Sequence, residues 1–265
     1  MSVIPYDVDY ATLNRLRKYE NWFFLLSMIF SFFYALQMEF NILVKNEIND
    51  LTTLIGLLLF SGFVILKIYN DYFLFPSCEN KRRLFFIDNS FQSKMAIQVV
   101  PDDFFNKELS PGLYKLAVNG FENCFFTYHI VNKMVAKYLI KNGVLAIAFF
   151  VFAYIGFKNM VFVVNLILQL VISSFFVDGL IKYFIYKKRV EYVFNQFCNF
   201  FSDPIKKFDN DKIAKIIRMI LEYETLLSWS TISIDSKIYN KSKDQLNKEW
   251  EELKKRYQIL QLQSK

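Results

Sequence analysis

The chain has 265 residues, 54% of them hydrophobic and 31 of them Phe, with a formal net charge of +7. That apolar and aromatic load is well above an ordinary soluble domain. The positive balance would suit a nucleic-acid polymer, but the basic residues are not gathered into one run, which argues against that partner.

Residues 1–20 read as a short amphipathic lead-in, with Tyr10, Leu13 and Leu16 on one face and Arg15, Arg17 and Lys18 elsewhere. No small-residue cleavage pattern follows, so a removable signal peptide is not expected. An apolar stretch at 22–38 opens on Trp22, an aromatic suited to a membrane interface. A polar turn carrying Glu39, Lys45, Glu47 and Asp50 leads to a second stretch at 51–68. Aromatic residues at 72–75 then lead to Pro76, where a break is expected. In the following insert, 84–87 and 95–100 are β-prone, while Pro101-Asp102-Asp103 and Ser110-Pro111-Gly112 are turn signals. Asp102 and Asp103 suit a helix N-cap better than acid–base chemistry. From about Asn119 the spacing of Phe125, Tyr128, His129, Val131, Val135 and Leu139 becomes helical.

A third apolar stretch, 143–157, lies between Lys141 and Lys158, and a fourth covers 161–181. The tail reads as three helices. Val190, Phe194, Phe197 and Phe201 mark the first, which stops before Pro204; Ile213, Ile216, Ile217, Ile220 and Leu227 mark the second. In the third, Leu246, Trp250, Leu253, Tyr257 and Leu260 step at heptad spacing, open to packing on the protein's own helices or to self-association.

Crossing hydrocarbon takes roughly 20 apolar residues as a helix. The four stretches approach that length as continuous runs, without the alternation that barrel strands need. The third is the shortest, with a re-entrant or interfacial helix as its alternative. Three basic residues precede the first stretch, ten lie from Lys67 to Lys141 and seventeen follow from Lys182, leaving only Lys45 and Lys158 in the short connections. Positive residues near span ends stay cytoplasmic. The expected fold is therefore a mainly α, multi-pass integral membrane protein with both termini and the insert in the cytoplasm. Its four transmembrane helices form two hairpins, the insert has room for some β, and the cytoplasmic tail is helical. The expected divisions are 1–69, 70–141, 142–186 and 187–265. Cys78, Cys124 and Cys198 fall on the cytoplasmic side with no metal or redox spacing, so reduced thiols are expected. The Lys187-Lys188-Arg189 run reads as a headgroup and topology anchor.

Catalytic motifs for phosphate cradling, zinc hydrolysis or a serine nucleophile are missing, and His129 is the single histidine. The chain is expected not to be an enzyme and to hold no cofactor or metal. Polar residues recur inside two stretches: Asn165, Gln169 and Ser173 in the fourth, and Ser27, Ser31 and Tyr34 in the first. Such stripes either glue helices together or line a water path between subunits. Asp178 is the one acid inside the stretches, and Lys182 at i+4 offers an interfacial partner. A ring of Asp178 carboxylates at a pore mouth is the sharper reading. Arg82 and Arg83 beside Phe85 and Phe86, with Tyr128, His129 and Lys133, combine phosphate-binding cations with rings for base stacking.

Two local sequences carry a resemblance: Leu84-Phe85-Phe86-Ile87-Asp88 opening the insert, and Ile234-Asp235-Ser236-Lys237-Ile238-Tyr239 in the tail. Together with the two-hairpin layout over nearly the whole chain, they resemble the SMODS-associated four-transmembrane effectors. Those are pore-forming proteins of bacterial anti-phage systems that signal with cyclic oligonucleotides. The tail sequence lacks the Pro and Trp often found in that family's motif. The resemblance implies a homo-oligomer of the bacterial inner membrane that senses a cyclic oligonucleotide from a partner synthase through its cytoplasmic part and then disrupts the bilayer. A non-pore scaffold or accessory subunit, or a small homeostatic ion channel, are the competing readings.

Overall fold

The computed structural model describes residues 5–39, 46–96, 106, 108–156, 162–203 and 209–259, which are mostly helical with no strand among them. The connections carrying Lys45 and Lys158, and the turn with Asp102 and Asp103, lie outside the described residues. The elements are α1 (Pro5–Glu39), α2 (Asn46–Tyr69), a π-helical turn (Asn70–Leu74), α3 (Phe75–Phe91), α4 (Leu113–Gly156), α5 (Phe162–Ser202), α6 (Asn210–Ser230) and α7 (Ser236–Arg256).

Five local expectations are corrected. Pro76 does not break the chain. The turn before it widens to π geometry, with the Phe75 amide bonding Asn70 O, and Pro76 sits in the first turn of α3. A proline ring clashes with the carbonyl four residues back, and a π turn relieves such a clash by shifting the hydrogen-bond register. Residues 84–87 lie in α3, not in a strand. Cys78, Phe85 and Phe86, together with Glu79, Asn89 and Ser90, are buried at three- and four-residue spacing, and packing on that face overrides β propensity. Met95 and Ala96 are likewise not in a strand. Helix α4 begins at Leu113, directly after the Pro111-Gly112 turn and ahead of Asn119. The first tail helix is no separate piece, because α5 runs unbroken to Ser202.

The chain divides into two units. The apolar unit comprises Asp9–Pro76 and Lys137–Ile181. In it α1 and α2 pair antiparallel, with Phe24 against Phe63 at 5.0 Å between ring centroids. Gly62 lets them close up, since a Cβ there would meet Phe23 Cε1 at 2.7 Å. Asp71 receives Arg17 at 3.5 Å and Lys67 at 3.1 Å, and Asn70 donates to Glu20 at 2.9 Å. Away from this seam the pair is bare: Leu25, Ile29 and Phe33 on α1, and Leu51, Leu54, Leu58 and Ile65 on α2, are exposed. The helical run Asp50–Phe91 is long and apolar enough to cross a membrane, and only 6% of its most apolar 18 residues is buried. Among the described residues it is the one run that qualifies.

The aromatic-core unit comprises Met1–Val8, Ser77–Ala136 and Lys182–Lys265. The first half of α4 is its axis, with every residue from Tyr114 to Phe121 buried, the polar Lys115 and Asn119 among them. Phe121 stacks on Phe197 and Phe201 of α5 at 5.6 and 5.2 Å and meets Trp250 of α7 edge-on at 5.2 Å. Gly120 admits α6 closely, since a Cβ there would collide with Ile220 Cδ1. Leu246 and Trp250, two of the heptad positions, are buried in this core.

Candidate functional site

The expected ligand residues sit in two groups, both in the aromatic-core unit. Arg82 lies on the inner face of α3, where Glu79 one turn earlier and Glu224 of α6 enclose it. Its Nε and Nη2 donate to Glu79 at 3.1 and 3.0 Å, and its Nη1 donates to Glu224 Oε1 at 3.1 Å while Nη2 donates to Oε2. Arg83 Nε reaches the same Glu224 Oε2 at 3.0 Å, and its Nη2 reaches the Glu224 carbonyl at 3.3 Å. Burial acts to lower the Arg82 pKa, but the Glu224 and Glu79 carboxylates outweigh it and leave it well above the usual value. The result is a clamp of two guanidiniums and two carboxylates joining α3 to α6, with formal charges that cancel. Arg82 is only 15% exposed and Arg83 36%.

Tyr128, His129 and Lys133 share the outer side of α4. Tyr128 stacks on Phe194 of α5 at 4.6 Å and 4°. His129 lies 4.5 Å from the Phe125 ring, and burial pushes its pKa below the usual value, against the Glu249 charge. It is therefore neutral at physiological pH. Lys133 Nζ donates to Ser242 of α7 at 3.0 Å. Both faces of a stacking platform are thus not open at Tyr128, since Phe194 takes one.

Of the expected path-lining residues, Ser27 is buried and donates to the Phe24 carbonyl of its own helix at 2.8 Å, while Ser31 is exposed. Asn165, Gln169, Ser173 and Asp178 have helical backbone in α5, but their side chains, like that of Tyr34, lie outside the described residues.

The sequences that carried the resemblance both act at helix ends. Asp88 accepts from Ser93 Oγ and from the Met95 and Ala96 amides at 2.9 and 2.7 Å, folding the chain over the end of α3. Burial would raise its pKa, but these bonds outweigh it and hold the carboxyl below the usual range. Asp235 caps α7, accepting from the Lys237 and Ile238 amides at 2.8 and 3.1 Å.

Sequence reasoning missed Glu224 and Glu122. An acid on the apolar face marked by Ile216, Ile220 and Leu227 was the available signal for Glu224. Glu122 Oε2 accepts from Asn106 Nδ2 at 2.8 Å, and Asn106 also bonds Asn119, which bonds Ser90. Burial pushes the Glu122 carboxyl up to about 7, opposed by the Asn106 bond and the Lys254 charge. Among the described residues no cluster of His, Cys, Asp and Glu is arranged to hold a metal ion.

Comparison with protein-family models, curated proteins and solved structures returns no match. The resemblance drawn from the sequence rests on its own residues.

Proposed function

We propose that this chain is a four-span protein of the bacterial inner membrane, with both termini cytoplasmic, that acts as a homo-oligomeric effector. Its aromatic-core unit senses a cyclic oligonucleotide, and its spans then open a path that dissipates the membrane gradient in anti-phage defence. It performs no catalysis. The observation that carries the membrane part is the bare apolar surface of the run Asp50–Phe91, of whose most apolar window 6% is buried. Water would penalise that surface by roughly 25 cal/mol per Å2, whereas lipid accepts it. The charge asymmetry across the four stretches supports the topology, and the two-hairpin layout supports the effector reading.

The clamp constrains how a ligand would act. Arg82 already directs its donors at Glu79 and Glu224, so a phosphate would engage it by exchanging with Glu224. That exchange would loosen α6 from α3 as the first motion of opening.

A second reading, a non-pore scaffold, is favoured by the same saturation of Arg82 and by Ser27 bonding its own helix. The test is dye uptake and membrane potential in bacteria expressing the chain, alone and beside a panel of cyclic-oligonucleotide synthases. Synthase-dependent depolarisation is expected. Intact potential with every synthase, with the protein present in the membrane, favours the scaffold. Depolarisation without a synthase leaves a pore of the homeostatic-channel kind and removes the ligand. Asn165→Leu with Gln169→Leu should abolish the conductance while expression persists; unchanged conductance would make that stripe interhelical glue.

A further inference from the structure

Beyond 161–181, the exposed face of α5 changes character over three turns. Ile181, Phe184 and Ile185 are exposed, then Lys188 and Arg189, then Tyr192. A helix rises about 1.5 Å per residue, so the two cations sit roughly 10–12 Å along the axis from Ile181. The headgroup layer is about 5–8 Å thick on each side of the hydrocarbon core, and long basic side chains reach back toward it.

A second element joins them. Gln196 of α5 donates to Glu222 of α6 at 3.3 Å, and the Arg189 guanidinium lies over the Trp229 ring at 5.4 Å. These two contacts set α6 antiparallel beside the 182–202 part of α5, with the C-terminal end of α6 toward Arg189. Trp229 therefore lies level with Arg189, and it is 40% exposed. Among the described residues no carboxylate pairs with Lys188 or Arg189. An indole at an interface beside unneutralised cations is the side-chain set that lipid headgroups favour.

We propose that Lys188, Arg189 and Trp229 form a shelf that binds anionic phospholipid headgroups, fixing the end of α6 against the membrane surface. The inference rests on the reading that 161–181 crosses the bilayer. Through α6 the shelf would tie the surface to the Arg82–Glu224 clamp, which lies on the same helix.

The test uses the full chain reconstituted in vesicles of phosphatidylcholine, alone or mixed with phosphatidylglycerol. The emission of Trp229 is isolated as the difference between the protein and Trp229→Phe, and lipids carrying a headgroup nitroxide serve as quencher. Quenching of Trp229 should be at least about twofold stronger with phosphatidylglycerol present, given the attraction of each near-surface cation to anionic lipid. Lys188→Gln with Arg189→Gln should remove that dependence while circular dichroism stays unchanged. Quenching that is equal in both lipids, or that comes only from soluble iodide, overturns the shelf. A fluorophore on Val171→Cys, quenched by acyl-chain nitroxides, tests the span separately. If that label is unquenched, the crossing itself is wrong; if it is quenched while Trp229 is not, only the shelf fails.

Discussion

Glu122 is a carboxyl whose burial competes with its charge. Its pKa is raised from 4.5 to about 7, so the folded form binds its proton more tightly than the unfolded chain does. The stability this contributes is whole below pH 4.5 and is lost as pH rises through about 7. At about 1.4 kcal/mol per pKa unit, the loss amounts to about 3 kcal/mol. Glu122→Gln keeps an oxygen for Asn106 and removes the titration. The melting temperature of the native chain should fall relative to this variant across that interval, and parallel curves would refute the assignment. Arg82→Met takes from the buried Glu79 and Glu224 carboxylates the guanidinium they share, leaving Arg83 on Glu224, and should cost up to about 3–5 kcal/mol. Adding Glu79→Gln and Glu224→Leu should recover much of that, as thermal unfolding in detergent would read; additive losses would mean the clamp is not a unit. The sequence displayed Arg82 and Arg83 as a basic pair, but not what neutralises them. Glu224 stands 142 positions away, and no local pattern encodes a pairing made by tertiary packing.

Helices were the legible part wherever apolar residues kept one period. Ile216, Ile220, Tyr223 and Leu227 line one buried face of α6, and Leu246 with Trp250 do the same for α7. Legibility failed where local preference and packing disagree. Phe85, Phe86 and Ile87 prefer strands in isolation, yet the polar residues Glu79, Arg82, Asn89 and Ser90 fall on the helical face that α3 turns inward. Pro76 misled for a different reason: a π turn just ahead of it spares the chain the usual break. The two sequences that carried the resemblance also have local duties. Asp235→Ala should cost about 1 kcal/mol by leaving the Lys237 and Ile238 amides uncapped. The same substitution at Asp244, exposed on the middle of α7, should cost less, and equal losses by thermal melting would deny Asp235 its capping role.

At the scale of the molecule, composition announced the bare apolar surface that α1 and α2 carry, while charge gave only an expectation of which ends face the cytoplasm. Neither could say what the two units do to each other, because hydropathy carries no distances. The bare faces of α1 and α2 give a direct prediction. Alkaline carbonate should leave the chain in the membrane pellet, and detergent should release it. Release by carbonate alone would contradict membrane insertion. Nor could spacing alone decide between glue and path for Ser27, whose hydroxyl turns back onto its own helix.

The absence of a side chain at position 120 has a historical corollary. Because a methyl group there would strike Ile220 and crowd the Phe197 ring at 3.3 Å, positions 120 and 220 are not free to drift separately. Gly120→Ala should lower the melting temperature, by a strain of about 1–3 kcal/mol, and Ile220→Val should soften the loss when combined with it. In diverging descendants of this chain, a larger residue at 120 should arrive only with a smaller one at 220, leaving a paired substitution as the record of that contact.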